Sequence, residues 1–255
     1  MGSSDRAEIE ADFAALHEVV SRVVGHTYDA LTTPERLKYL EKLELEARRL
    51  AFPGHQLINQ LAERSDPEEL GGRLSHALAY RLRITRADAG RRVAEAADLG
   101  PRRAITGEPL PPLLTGTAAA QRNGHIGAGH VRVLRDFVHG LPCSVDVGTR
   151  ERAEAHLAEL ATEHRPDDLA KLADRLGYCL NPDGNFTDID RARRRGVTLG
   201  NQDIDGMSRL SGWLTPEARA TFEAVLAKLA APGTANPRRR RARRRRTTRR
   251  GGGAT

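Results

Sequence analysis

Arginine is the residue type through which this sequence can do chemistry, and it is concentrated in three places. Arg86, Arg91 and Arg92 follow Thr85; Arg191, Arg193, Arg194 and Arg195 form a second group; and the last residues hold Arg238 to Arg241, Arg243 to Arg246, Arg249 and Arg250. A guanidinium is permanently charged and presents a planar fork of donors that matches phosphate oxygens and base edges, so these clusters point towards nucleic acid. Their location qualifies that. The net charge is +7, but without the ten tail arginines 31 basic residues face 34 acidic ones, a net charge of −3. The body is slightly acidic and the tail alone makes the chain basic.

Other reactive side chains do not converge. His125 and His130 are five residues apart across a turn, poor spacing for two ligands on one helical face, and read as capping or core-edge histidines. Asp203 and Asp205 fit a tight loop, where aspartate is favoured. Cys143 and Cys179 cannot build a disulfide framework or a zinc site by themselves and read as buried, inert thiols. Trp213 reads as a core residue. No serine, histidine and acid fall at a catalytic spacing, so the chain is read as lacking a complete catalytic site, with no metal and no cofactor.

The elements that must position the arginines are mainly helices. A first helix is predicted from about Arg6 to Val24, with Ile9, Phe13, Leu16, Val20 and Val23 at helical spacing and Asp5 with Glu8 as a capping box. Thr32-Thr33-Pro34-Glu35 writes a second start, and Pro53-Gly54 is expected to interrupt that helix. Asp66-Pro67-Glu68-Glu69 opens a third segment. Leu74 to Gly100 reads as two helices broken near Ile84-Thr85, with Thr85 as cap and Asp88 returning to it. Gly107 to Pro112 is a proline-rich connector, and helices are expected at about 113–122, 128–138, 148–163 and 166–180. Val197 to Leu199 and Met207 to Leu214 read as a hairpin joined through Asn201 to Gly206, before a helix capped by Thr215-Pro216-Glu217.

Leu78, Leu82 and Ile84, followed by Thr85 and a helix carrying Arg86, Arg91 and Arg92, resemble a helix-turn-helix. In that motif the second helix enters the major groove; Arg86 would reach a base edge or phosphate, and Arg91 and Arg92 would hold the backbone. An ordinary helical pair with solvated arginines is the competing reading. Arg193, Arg194 and Arg195 are further phosphate candidates, with Asp188 and Asp190 beside them to neutralise part of the charge.

Several blocks carry a family resemblance: LRITRADAGRRV (82–93), GEPLPPLLTGTAAAQRNGHIGAGHVRVL (107–134), the Asn181-Pro182-Asp183-Gly184 turn, and RARRRGVTLGNQDIDGMSRLSGWLTPEARATFEAVLAKLA (191–230). Together they resemble the actinobacterial domain of unknown function that precedes HNH endonuclease domains, most nearly the mycobacterial thirteen-E-twelve repeat group. NGHIGAGHVRVL is also similar to a helical segment of partition-type DNA-binding proteins. The resemblance implies a helical module followed by a nuclease domain whose paired histidine, asparagine and Cys-x-x-Cys residues have no counterpart in this sequence.

The expectation is therefore a mainly α, multi-helix domain over residues 1–236. It has one small hairpin at about 196–214, a last helix at about 215–230, and a disordered Arg-rich tail over 237–255. The tail reads either as a basic arm binding phosphates through counterion release or as an acidic linker translated out of frame. The functional expectation is a non-catalytic, DNA-associated module, perhaps within a mobile repeat; the alternative is a protein-interaction scaffold or a truncated remnant. Partners are then DNA, or a second copy or protein partner. No membrane span and no signal peptide are expected, and the cytoplasm is the default compartment.

Overall fold

Alanine, leucine and arginine in long runs favour helix over strand, and helix dominates. The computed structural model describes residues 5–229, and Arg238, Arg239, Arg240, Arg241 and the rest of the basic tail lie outside them. The elements run α1 (Arg6–Val24), α2 (Thr33–Arg49), α3 (Ala51–Arg64), α4 (Pro67–Leu70), α5 (Leu74–Leu82), α6 (Arg86–Leu99), β1 (Arg102–Arg103), β2 (Pro109–Leu110), α7 (Thr115–Arg122) and α8 (Ala128–Gly140). They continue with α9 (Val147–Leu160), α10 (Pro166–Leu180), α11 (Asp188–Arg194), β3 (Gly196–Gln202), β4 (Ser208–Trp213) and α12 (Pro216–Leu229). No helix among the described residues is long and apolar enough to cross a membrane.

Two units divide the chain, one over 1–140 with 147–177 and one over 141–146 with 178–255. The first holds two cores. Leu99, Leu114, Ile126, Val131, Leu134, Leu157 and Leu169 centre the larger, at the meeting of α6 to α10. Ile58, Leu78, Ala89 and Ala96 centre the smaller, where α5 and α6 pack on α3, with Leu61, Leu74, Ala79, Ile84 and Val93 around them. Each fully buried leucine or isoleucine stabilises its core by roughly 1.5–3 kcal/mol. Between α7 and α8 the Asn123-Gly124 turn needs its glycine twice over. Gly124 has φ +81°, and a β-carbon there would stand 2.7 Å from the Leu45 carbonyl of α2.

Polar groups tie these helices together. Glu154 of α9 caps α7: its carboxylate accepts from the Gly116 amide at 3.2 Å, the Thr117 amide at 2.6 Å and the Thr117 hydroxyl at 2.6 Å. His55 of α3 meets Gln121 of α7 at 3.0 Å in the interior, and burial pushes its pKa down.

Several sequence expectations change. Asp5 is the N-cap of α1 but makes no side-chain bond, so the box with Glu8 does not form. The break after α2 falls at Leu50, and Pro53-Gly54 lies inside the first turn of α3, where a missing amide proton is tolerated. Asp88 turns its carboxylate to Arg91 and Arg92 rather than back to the cap. The proline-rich connector contributes a strand, β2, which pairs with β1 through Arg102 opposite Leu110 and Arg103 opposite Pro109. Helix α11 joins the predicted elements.

The second unit carries the larger hairpin. β3 and β4 pair antiparallel from Gly196 opposite Trp213 to Gln202 opposite Ser208, with an irregularity after Leu199. Every residue of both strands is exposed. Trp213, expected in the core, is 65 % exposed because a two-stranded ribbon cannot cover its own faces. Cys143 and Cys179 are likewise exposed rather than buried.

Candidate nucleic-acid interface

Helix α5 ends at Leu82, and three residues turn the chain into α6. Arg83 takes a left-handed conformation, φ +54°, a position usually given to glycine. The Ile84 amide donates back to the Ala79 carbonyl at 3.1 Å, and the Ile84 side chain joins the smaller core. Thr85 then caps α6, its hydroxyl oxygen accepting from the Asp88 amide at 3.1 Å. Thr85 therefore acts as the sequence indicated, and α5, turn and α6 form one packed pair on α3.

Helix α6 buries Ala89, Ala96 and Leu99 and exposes Arg86, Ala87, Arg91, Ala94 and Ala97. Its three candidate arginines are not equivalent. Arg86, at the first helical position, has no ion pair or side-chain hydrogen bond among the described residues. Arg91 donates to both carboxylate oxygens of Glu95, at 2.7 and 2.8 Å, and also to Asp88. Arg92 donates to Asp88 at 3.2 Å. Hydrogen bonding from Arg91 holds the Asp88 carboxyl below its ordinary range. Arg135 of α8 extends the chain of charges, lying 3.9 Å from Glu95 and 2.7 Å from Asp98. Among the candidates on α6, only Arg86 has its full charge available to a ligand.

The short β1–β2 hairpin follows directly. Asn59 of α3 pins its base, donating to the Ala96 carbonyl at 2.8 Å and the Pro101 carbonyl at 3.1 Å. The Leu114 amide closes it by donating to the Asp98 carbonyl at 3.0 Å. Among the described residues Arg102 and Arg103 bond only to the carbonyls of Pro111 and Gly107, so no ion pair there neutralises their charges. Neither arginine was singled out by sequence reasoning; the pair Arg102-Arg103, followed by a turn through Thr106-Gly107, was the available signal.

The second cluster is partly engaged within its own unit. Arg193 donates to the Cys143 sulfur at 3.3 Å, Arg194 stacks over Trp213 at 4.7 Å, and Arg191 pairs with Asp188 at 3.1 Å. Arg195 follows α11 and is exposed. Asp190 makes no ion pair with them among the described residues, though it stays ionised. It accepts from the Thr187 amide and hydroxyl and from the Cys143 amide, which hold its carboxyl far below the usual range, Thr187 contributing most.

The histidines and loop aspartates have structural work. The Gly127 amide donates to His130 Nδ1 at 3.3 Å, which leaves Nε2 to donate to the His164 carbonyl at 2.9 Å. Asp205 accepts from the Met207 amide within the β3–β4 turn. A groove of about 610 Å³ lies between α2 and the α7–α8 turn, rimmed by Glu41, Glu44, Arg48 and His125. There Arg48 pairs with Glu44 and donates to the His125 carbonyl. Among the described residues no three His, Cys, Asp or Glu side chains come together as a metal site.

A family model, the domain of unknown function DUF222, matches residues 37–252. The chain belongs to the DUF222 family. Uncharacterized protein MT1160 of Mycobacterium tuberculosis strain CDC 1551 is 65 % identical to this DUF222 protein over 236 residues, covering 92 % of this chain and 56 % of the relative. Rv1702cMb1728c of strain H37Rv is 60 % identical over 237 residues, 93 % of this chain and 52 % of the relative. Mb1179c of Mycobacterium bovis is 59 % identical over the same length and shares. The DUF222 chain thus spans about half the length of these relatives. No solved structure matches it.

Proposed function

We propose that this DUF222 chain is a non-catalytic, duplex-DNA-binding module whose α6 docks in the major groove. The observation that carries the reading is the α5–α6 turn: three residues, a left-handed Arg83, a capping Thr85, and an unpaired Arg86 at the first position of the second helix. That is the arrangement by which a helix-turn-helix presents the start of its second helix to base edges. Behind Arg86 the exposed face carries Ala87, Ala94 and Ala97, small enough for the helix to approach the bases closely. The resemblance to domains that precede HNH nucleases adds a role: in longer family members the module positions a nuclease on DNA.

The test is a salt titration of duplex binding by the full chain and by a variant whose ten arginines from Arg238 onwards are serine. The reading expects the serine variant to keep a sequence-dependent affinity with a shallower salt slope, further weakened by Arg86→Ala. Loss of all binding with the tail arginines overturns it.

A second reading, a protein-interaction module, is favoured by one observation. Phe13, Leu37, Leu40 and Leu43 on α1 and α2 are exposed, more apolar surface than scattered single residues would give. A partner bound through these helices, with no DNA affinity in the serine variant, would establish it.

A further inference from the structure

Resting on the DNA-binding reading, we propose that the β1–β2 hairpin is a second DNA-contacting element, whose tip enters the minor groove beside the major-groove site of α6. Four observations meet there. The hairpin leaves the end of α6 with only Gly100 and Pro101 between, so helix and ribbon act from one anchored base. Its length is fixed by the β1–β2 pairing and by the Ala104 amide donating to the Glu108 carbonyl at 2.8 Å. At its tip Ile105 is fully exposed, its apolar surface left to solvent. Arg102 and Arg103 both stand on β1, just before that tip, and among the described residues only backbone carbonyls engage their charges, Glu108 being the one acid of the hairpin.

An apolar side chain at the tip of a narrow ribbon, with two arginines on the strand that leads to it, is chemistry that the minor groove accepts. Arginine is drawn by the groove's negative potential, and an aliphatic wedge inserts at a base step. Helix α6 has 14 residues and is about 21 Å long. An element springing from its end is therefore placed to reach the groove next to the one the helix occupies. A protein surface would equally bury Ile105, but it would give no reason for the uncommitted arginines beside it.

The experiment uses the full chain and duplexes in which adenine is replaced by 2,6-diaminopurine. This adds an amino group to the minor groove and leaves the major-groove edge unchanged. The expected result is about a tenfold loss of affinity on the substituted duplex. The double variant Arg103→Ala/Ile105→Ala should bind both duplexes alike, while Arg86→Ala binds both more weakly and keeps the discrimination. Both changes are on exposed side chains, and an unaltered circular dichroism spectrum checks that the variants fold. Equal affinity of the unmodified protein for the two duplexes overturns the proposal, as does discrimination that survives in the double variant. If Arg86→Ala leaves affinity unchanged while the double variant loses discrimination, the hairpin assignment stands and the α6 reading falls. Absence of any duplex binding removes both.

Discussion

Arg135, on α8, donates from Nε to the carboxylate of Asp98, on α6, at 2.7 Å, and both side chains are largely buried. The same carboxylate oxygen meets His139 Nε2 at 2.8 Å. The bond fastens the helix that carries Arg86 to the larger core, so the proposed DNA-facing element is held at its far end by a charge pair. Removing one member of such a pair leaves the other charged and buried. Arg135→Met is expected to destabilise the protein by about 3 kcal/mol or more, read as a lower urea midpoint with an unchanged slope. A shift within about 0.5 kcal/mol would mean that water reaches Asp98 freely.

Thr85 supplies the first bond of α6. Thr85→Ala should destabilise by about 1 kcal/mol, while Thr85→Ser, which keeps the hydroxyl, should change little. Thermal unfolding of the three proteins compares them directly.

His55 gives a pH dependence. Burial holds its folded-state pKa below the unfolded value of about 6.5, so the unfolded chain binds the proton more readily. Its stabilising effect is complete above pH 6.5 and is lost as the pH falls towards the folded value, at no more than about 1.4 kcal/mol per pH unit. Urea unfolding at pH 7.5 and 5.5 should show a smaller difference for His55→Gln than for the unmodified protein. An equal difference would assign the acid sensitivity to other groups.

Arg86 and Arg91 should separate binding from folding. Arg86→Ala removes an unpaired surface cation, with stability expected to hold within about 0.5 kcal/mol and duplex affinity to fall by about 1–3 kcal/mol. Arg91→Ala strips the buried Glu95 of its bidentate partner, so its larger effect should appear in the melting temperature. Equal behaviour in both assays would sink the distinction between them.

Much of this was legible in the sequence, and the failures have common causes. The stretch 74–100 announced its two helices because Thr85 is a strong cap and Leu78 and Ile84 are spaced for one shared core. The β3–β4 hairpin is marked by turn residues, but turn chemistry says nothing about what covers a strand, so the sequence does not distinguish an exposed Trp213 from a buried one. The β1–β2 hairpin was hidden because its strands are two residues each, too short for any alternation, and because Pro109 reads as a breaker. That Arg91 is committed to Glu95 follows from an i,i+4 spacing visible in sequence. That Arg135 converges on the same cluster from 40 positions away is a fact of packing.

Helices α1 and α2 contain no buried residue. Their amide protons should exchange with solvent before those of α6 and α7, since neither helix buries a side chain and α2 is held to the α7–α8 turn along one edge, at Leu45 and Arg48. Whatever covers their apolar faces would slow that exchange as well as bind. The affinity measured for such a cover would then include the free energy of holding the 19 residues of α1 and the 17 of α2 in order, and would fall short of what its contact area suggests.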